Sequence, residues 1–103
     1  MESRALARAI RIETLSMVHR ANASHVGSCL SMADILAVLY GNTLRHKPTE
    51  PKWPGRDMVF LSKGHACAIM YAVLAEAGYF EKKLLATYGQ NGTLLQGHLS
   101  HHV

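Results

Sequence analysis

The chain has 103 residues, a formal net charge of +4 and 49% hydrophobic residues. That is enough for one small domain burying about two-thirds of its unfolded surface. No run of about 18 apolar residues is present, so no transmembrane helix is expected. The basic N-terminus lacks the apolar core and cleavage site of a secretory signal. Cys29 and Cys67 lack the paired spacing of a zinc site and read as thiols rather than a bridge. Arg4, Arg8 and Arg11 share one helix face, which reads as solvated. Nucleic-acid binding would need a denser patch or interleaved aromatics. These features point to a cytoplasmic protein with neither nucleic acid nor membrane as a partner.

The elements follow in chain order. Residues 2–21 predict a helix, with Leu6, Ile10 and Met17 on one stripe and Ile12 and Leu15 on another. Two apolar stripes predict packing on two sides. Residues 22–30 read as a polar, glycine-containing loop. Ser31-Met-Ala-Asp34 resembles a capping box with Asp in place of Glu, and predicts a helix to Leu39 or Tyr40, ended by Gly41 and Asn42. Residues 45–55 hold all three prolines, Pro48, Pro51 and Pro54, and predict a loop. Residues 58–61 are a short apolar run bounded by a charge and turn residues, which predicts a buried strand. Residues 66–77 contain one charged residue, Glu76, and predict a helix buried on nearly every side, with Gly78 as its C-cap. Residues 81–88 predict a short helix closed by Gly89, and loop follows from Gln90. No repeats are present. Four helices and one strand make a mostly helical chain. A lone apolar strand implies neighbours supplied from elsewhere, so the chain reads as the opening part of an α/β domain.

Ser62, Lys63, Gly64 and His65 lie at the strand-to-helix turn. Free backbone N–H groups and the positive end of the helix dipole make such a turn an anion site. Gly64 permits close approach to the backbone, and Lys63 and His65 add side-chain donors. This chemistry suits a phosphate or diphosphate.

The motif Leu61-Ser-Lys-Gly-His-Ala66, followed by Tyr71-Ala-Val-Leu-Ala-Glu-Ala-Gly-Tyr79, resembles the thiamine-diphosphate-binding half of transketolases. His25-Val-Gly-Ser-Cys-Leu-Ser-Met-Ala-Asp-Ile-Leu36 is similar to the family's early Ser-Gly-His-Pro-Gly-type loop and the helix after it. Residues 88–97 resemble the next loop, and Gly97-His98 the Gly-His that closes it. Four motifs in order cover roughly residues 5–98, and the pattern is closest to the short N-terminal subunits of split transketolases.

The resemblance implies roles for individual residues. His65, with Lys63 and Gly64, matches the position that contacts the cofactor diphosphate. His25 matches a histidine that contacts the sugar donor and assists proton transfer, work suited to an imidazole near neutral pH. His98 matches a histidine near the cofactor and the donor hydroxyls. Ser28 matches a position that reaches the cofactor in some relatives, although a turn-forming serine accounts for it equally well. His98, His101 and His102 could also be read as a metal tract, but without a carboxylate or cysteine partner they make a poor site. His19 and His46 receive no role.

Departures from the family matter too. Val26 follows His25 where proline is usual. The family holds thiamine diphosphate through a divalent cation, Mg2+, on a Gly-Asp-Gly…Asn motif that needs oxygen ligands. No Gly-Asp-Gly occurs here, and the activating glutamate belongs to a separate pyrimidine-binding module. The resemblance therefore implies the N-terminal part of a transketolase that moves a two-carbon ketol unit between sugar phosphates and is inactive alone. Its partners would be a C-terminal pyrimidine-binding module or subunit and sugar phosphates, with an oligomer as the complete form. A non-catalytic interaction module, or a fragment of a deoxyxylulose phosphate synthase or keto-acid dehydrogenase component, are the alternatives.

Overall fold

The computed structural model describes residues 2–21, 26–61 and 66–88. Helix α1 (Ser3–Ala21) is the longest element. Its first turn is capped by the Glu2 carboxylate, which accepts from the backbone N–H groups of Arg4 (3.0 Å) and Ala5 (3.3 Å). A negative charge there also suits the helix dipole. Leu6, Ile10 and Met17 are buried, with Ala7 and Thr14 between them. The expected second stripe is not packed: Ile12 and Leu15 are 53% and 49% exposed. Among the described residues, the core lies on one side of α1 only.

Residues 22–30 were expected to be loop. The structure instead forms a short helix, α2 (Val26–Leu30), anchored by buried Cys29. Helix α3 (Ala33–Val38) follows, but the expected capping box is not formed. Met32 occupies the N-cap position without a side-chain hydrogen bond. The Ser31 hydroxyl donates back to the Ser28 carbonyl at 2.8 Å, closing α2 rather than opening α3. Gly41 and Asn42 do not stop the chain either. The helix widens into a π-helical segment (Leu39–Thr43), where the Leu44 N–H reaches the Leu39 carbonyl at 2.8 Å.

The proline-rich stretch is a loop, as expected, and its two ends are tied together. The Asp57 N–H donates to the Arg45 carbonyl (2.7 Å), and the Asp57 carboxylate accepts from the Arg45 N–H (2.8 Å) and guanidinium (3.0 Å). Inside the loop Lys47 lies 4.4 Å from the centroid of the Trp53 ring. A Cβ at Gly55 would stand 2.6 Å from that ring, so a side chain there would displace the ring.

The expected strand at residues 58–61 is absent, and no strand occurs among the described residues. Strand-like alternation nonetheless survives. Val59 and Leu61 pack against the core, whereas Met58 and Phe60 are 61% and 82% exposed. Side chains alternate in this way along an extended chain. A strand also needs a hydrogen-bonded neighbour, and the described chain supplies none.

Helix α4 (Cys67–Ala77) is the centre of the fold, with Cys67, Ala68, Ile69, Met70, Tyr71, Ala72, Val73 and Ala75 all buried. Each large apolar side chain in such a position contributes roughly 1.5–3 kcal/mol relative to exposure. Gly78 ends α4 at φ 99°, with the N–H groups of Gly78 and Tyr79 capping the Ala75 and Leu74 carbonyls. This left-handed C-cap is the one expected. The short helix expected over residues 81–88 is a 3-10 helix (Lys82–Thr87) with Leu85 buried. Cys29 and Cys67 form no disulfide, also as expected.

Candidate functional site

The site expected from the sequence centres on the N-terminus of α4. Ala66, Cys67, Ala68 and Ile69 are all within 1% of complete burial. Ala66 occupies the N-cap position and offers no side-chain acceptor to the first N–H groups. A helix start normally finds a serine, threonine or aspartate there. Here the Cys67 sulfur accepts from the Cys67 and Ala68 N–H groups instead. Lys63, Gly64 and His65, the residues expected to complete that anion site, lie outside the described residues, as do His25 and His98. The tract His98, His101 and His102 also lies outside them. Of the candidates, Ser28 alone is described. It is partly buried in α2, and its backbone carbonyl accepts the Ser31 hydroxyl.

Immediately behind the α4 N-terminus lies a buried cluster. The Cys67 sulfur is 3.6 Å from the Tyr88 hydroxyl, and either can donate. The Tyr71 and Tyr88 rings meet edge to face at 6.0 Å. Burial raises the Cys67 thiol pKa; the Tyr88 hydrogen bond opposes this, and nearby Cys29 adds to it. Tyr88 is raised by burial first, then by Cys67 and Cys29. The Cys67 thiol is therefore neutral near pH 7, unlike a reactive cysteine.

At the other end of α4 a second polar group interrupts the core. Glu76 is 2% exposed at its side chain and pairs with Lys82 at 2.7 Å. Glu13 of α1 joins it. Burial, a hydrogen bond to Glu76 and repulsion from its charge push Glu13 up to about 8, with Lys82 opposing. For Glu76, burial acts upward but the hydrogen bonds from Glu13 and Lys82 win, and its pKa falls. One proton is thus shared between two carboxyls, with a lysine beside them. Nine residues separate Cys67 from Glu76, or about 14 Å along the helix, so this group lies at the opposite end of α4 from Cys67.

A cluster missed in the sequence involves His46. Its Nδ1 lies 2.7 Å from the Tyr79 hydroxyl and its Nε2 lies 3.1 Å from the Tyr40 carbonyl. The His46 ring stacks on Tyr79 at 5.7 Å. A cleft of about 460 Å³ beside it is lined by Tyr40, Arg56, Asp57, Met58, Tyr79 and Phe80, among others. A histidine in a proline-rich loop gave no signal of this contact. Among the described residues, no group of three or more His, Cys, Asp or Glu side chains could hold a metal ion, and no helix is long and apolar enough to cross a membrane.

A family described as the transketolase, thiamine diphosphate binding domain matches residues 2–102. The chain is 42% identical over 92 residues to a 6-deoxy-6-sulfo-D-fructose transketolase subunit of Clostridium sp. (strain MSTE9), covering 89% of this chain and 34% of that protein. It is 40% identical over 89 residues to the Homo sapiens transketolase, covering 86% of this chain and 14% of that one. The structure of a transketolase from Leishmania mexicana superposes with a TM-score of 0.87 at 31% identity, covering 95% of this chain and 15% of that one. The chain thus spans about a third or less of the length of these relatives.

Proposed function

The chain belongs to the transketolase thiamine diphosphate binding domain family, and from that premise we propose that it is the N-terminal part of a thiamine-diphosphate-dependent transketolase. The complete enzyme transfers a two-carbon ketol unit between sugar phosphates in the cytoplasm. The observation that carries the reading is the buried start of α4, with an alanine at its N-cap, directly after the sequence Ser62-Lys-Gly-His65.

Thiamine diphosphate, when bound, supplies an electron sink for breaking and remaking a C–C bond beside a carbonyl. The chain's own residues bind and orient. The first N–H groups of α4, with His65 and Lys63, hold the diphosphate, and Gly64 lets it approach the backbone. His25 and His98 orient donor hydroxyls and move protons. Ser28 lies on the flank of the His25 segment. Mg2+ on the diphosphate takes its ligands from outside this sequence, as does the activating glutamate, which a pyrimidine-binding module or subunit provides. This chain alone therefore holds one part of the machinery and does not turn over.

A coupled assay tests this. The purified chain is given thiamine diphosphate, magnesium and a ketose/aldose phosphate pair, with and without the remaining transketolase length. No turnover is expected from the chain alone. A rate clearly above the cofactor-only blank in the chain alone would overturn the division of labour.

A further inference from the structure

Helix α1 has an outer face as ordered as its inner one. The inner face is sealed by Leu6, Ile10, Thr14 and Met17. On the outside, Arg4, Arg8 and Ile12 follow one another four residues apart, and Arg11, Leu15 and His19 form a second such row beside them. Side chains spaced by four make a ridge along a helix, and the groove between two ridges seats the ridge of another helix. Arg4, Arg8, Ile12, Leu15 and His19 are all exposed. Helix α3 flanks this face. Arg11 pairs with Asp34 at 2.8 Å, and Ile35 and Val38, one and four residues beyond Asp34, are exposed as well.

Charge decides what such a groove accepts. The chain holds 11 Lys and Arg against seven Asp and Glu, and every one of those carboxylates is among the described residues. Five of them pair with Arg11, Arg45, Lys47, Lys82 and Lys83. Glu2 caps α1, and Glu13 stands against Glu76 of α4. None remains for Arg4 and Arg8, which form no ion pair among the described residues. They sit at the end of α1 where the helix dipole is also positive. A ligand for this face therefore carries carboxylates at one end and apolar groups at the other. A second copy of the chain brings no carboxylate that is not already engaged. A lipid surface calls for a broad apolar face with aromatic or leucine anchors along its length. Here the apolar part of the rows is Ile12 and Leu15, and the arginines gather at one end.

We propose that the outer face of α1 docks an amphipathic helix of a separate, acidic partner protein. Two Asp or Glu residues one turn apart face Arg4 and Arg8, and apolar residues in the next turns cover Ile12 and Leu15. The face is turned away from the buried residues of α1, so the contact stands whether or not the cofactor reading does.

The probe is a fluorescein-labelled synthetic helix about 18 residues long, with two glutamates one turn apart followed by two leucines on the same face. A second peptide has lysines in place of the glutamates. Fluorescence anisotropy is read with this chain and with the complete protein. The acidic peptide is expected to bind both, and the lysine peptide about tenfold more weakly or not at all. Arg8→Glu, Arg4→Glu and Leu15→Ser should each weaken the acidic peptide about three- to tenfold. Their melting curves should match wild type, because all three side chains are exposed. Lys52→Glu makes the same charge change on an exposed loop residue and is expected to leave binding unchanged. Equal affinity for the two peptides, or an equal loss in Lys52→Glu, would reduce the effect to general attraction and overturn the site. Binding to this chain but not to the complete protein would show the face covered from within and overturn the separate partner. No binding of the acidic peptide would overturn the proposal, as would its replacement by co-sedimentation with phosphatidylserine vesicles that Arg8→Glu abolishes.

Discussion

Replacing Glu13 by glutamine should change how stability depends on pH, because the Glu13–Glu76–Lys82 group shares one proton between two carboxyls. Glu13 is held up to about 8, chiefly by burial and by Glu76. Its ordinary value is 4.5. In the folded chain Glu13 therefore keeps its proton from about pH 4.5 to 8, where the unfolded chain has lost it. By linkage, stability is fully present below the lower value and declines as pH rises through this window. Glu76 acts in the opposite sense. Its pKa is lowered, so its stabilisation is present at neutral pH and fades as the pH falls into the carboxylate range. A shift from 4.5 to about 8 has a ceiling of about 5 kcal/mol at 1.36 kcal/mol per unit. Glu13 is only partly buried, and solvent screening reduces this to about 1–2 kcal/mol. Glutamine stays neutral and retains a donor for Glu76. Melting curves by circular dichroism from pH 5 to 9 should show wild type falling and Glu13→Gln nearly flat. The gap at pH 9 should reach about 4–16 °C, at 4–8 °C per kcal/mol for a domain of this size. Parallel profiles for the two proteins would refute the shared proton.

Gly78→Ala places a side chain at φ 99°, and thermal melting should register a loss of about 1 kcal/mol. Phe60→Ser should reduce self-association, because Phe60 and Met58 present apolar surface along an unpaired extended segment; sedimentation of a strictly monomeric wild type would contradict this. In the complete protein, His25→Ala should lower kcat/KM for the donor with cofactor affinity nearly intact, and steady-state kinetics with cofactor titration measure both.

Much of the helical framework was legible because it depends on local chemistry. The stripe Leu6, Ile10 and Met17 marked α1, and a run with one charge closed by glycine marked α4 and its left-handed cap. The misses have physical causes. Ser31 offered a capping signal, but its hydroxyl closes α2 instead, a competition between two helix ends that spacing does not decide. Gly41 and Asn42 read as a stop, yet the helix absorbs them by widening into a π-helical segment. Residues 58–61 have the composition and alternation of a strand, while strand formation depends on a neighbour beyond the described chain. Ile12 and Leu15 tell the same story, an apolar stripe without a covering layer. The proton-sharing pair Glu13 and Glu76 is 63 residues apart in sequence, and the His46–Tyr79 contact 33 apart. Neither has a local signature. Of the site, Lys63, Gly64 and His65 were singled out by the apolar helix after them, and they lie outside the described residues.

The most direct measurement is a thiamine diphosphate titration of the complete protein, comparing wild type with His65→Ala. A charge-assisted hydrogen bond from His65 to the diphosphate is worth roughly 1.5–3 kcal/mol. Wild type is expected to bind, and His65→Ala to bind about ten- to a hundredfold more weakly. Equal affinities, or a wild type with no measurable affinity, would contradict the assignment of this turn as the diphosphate site.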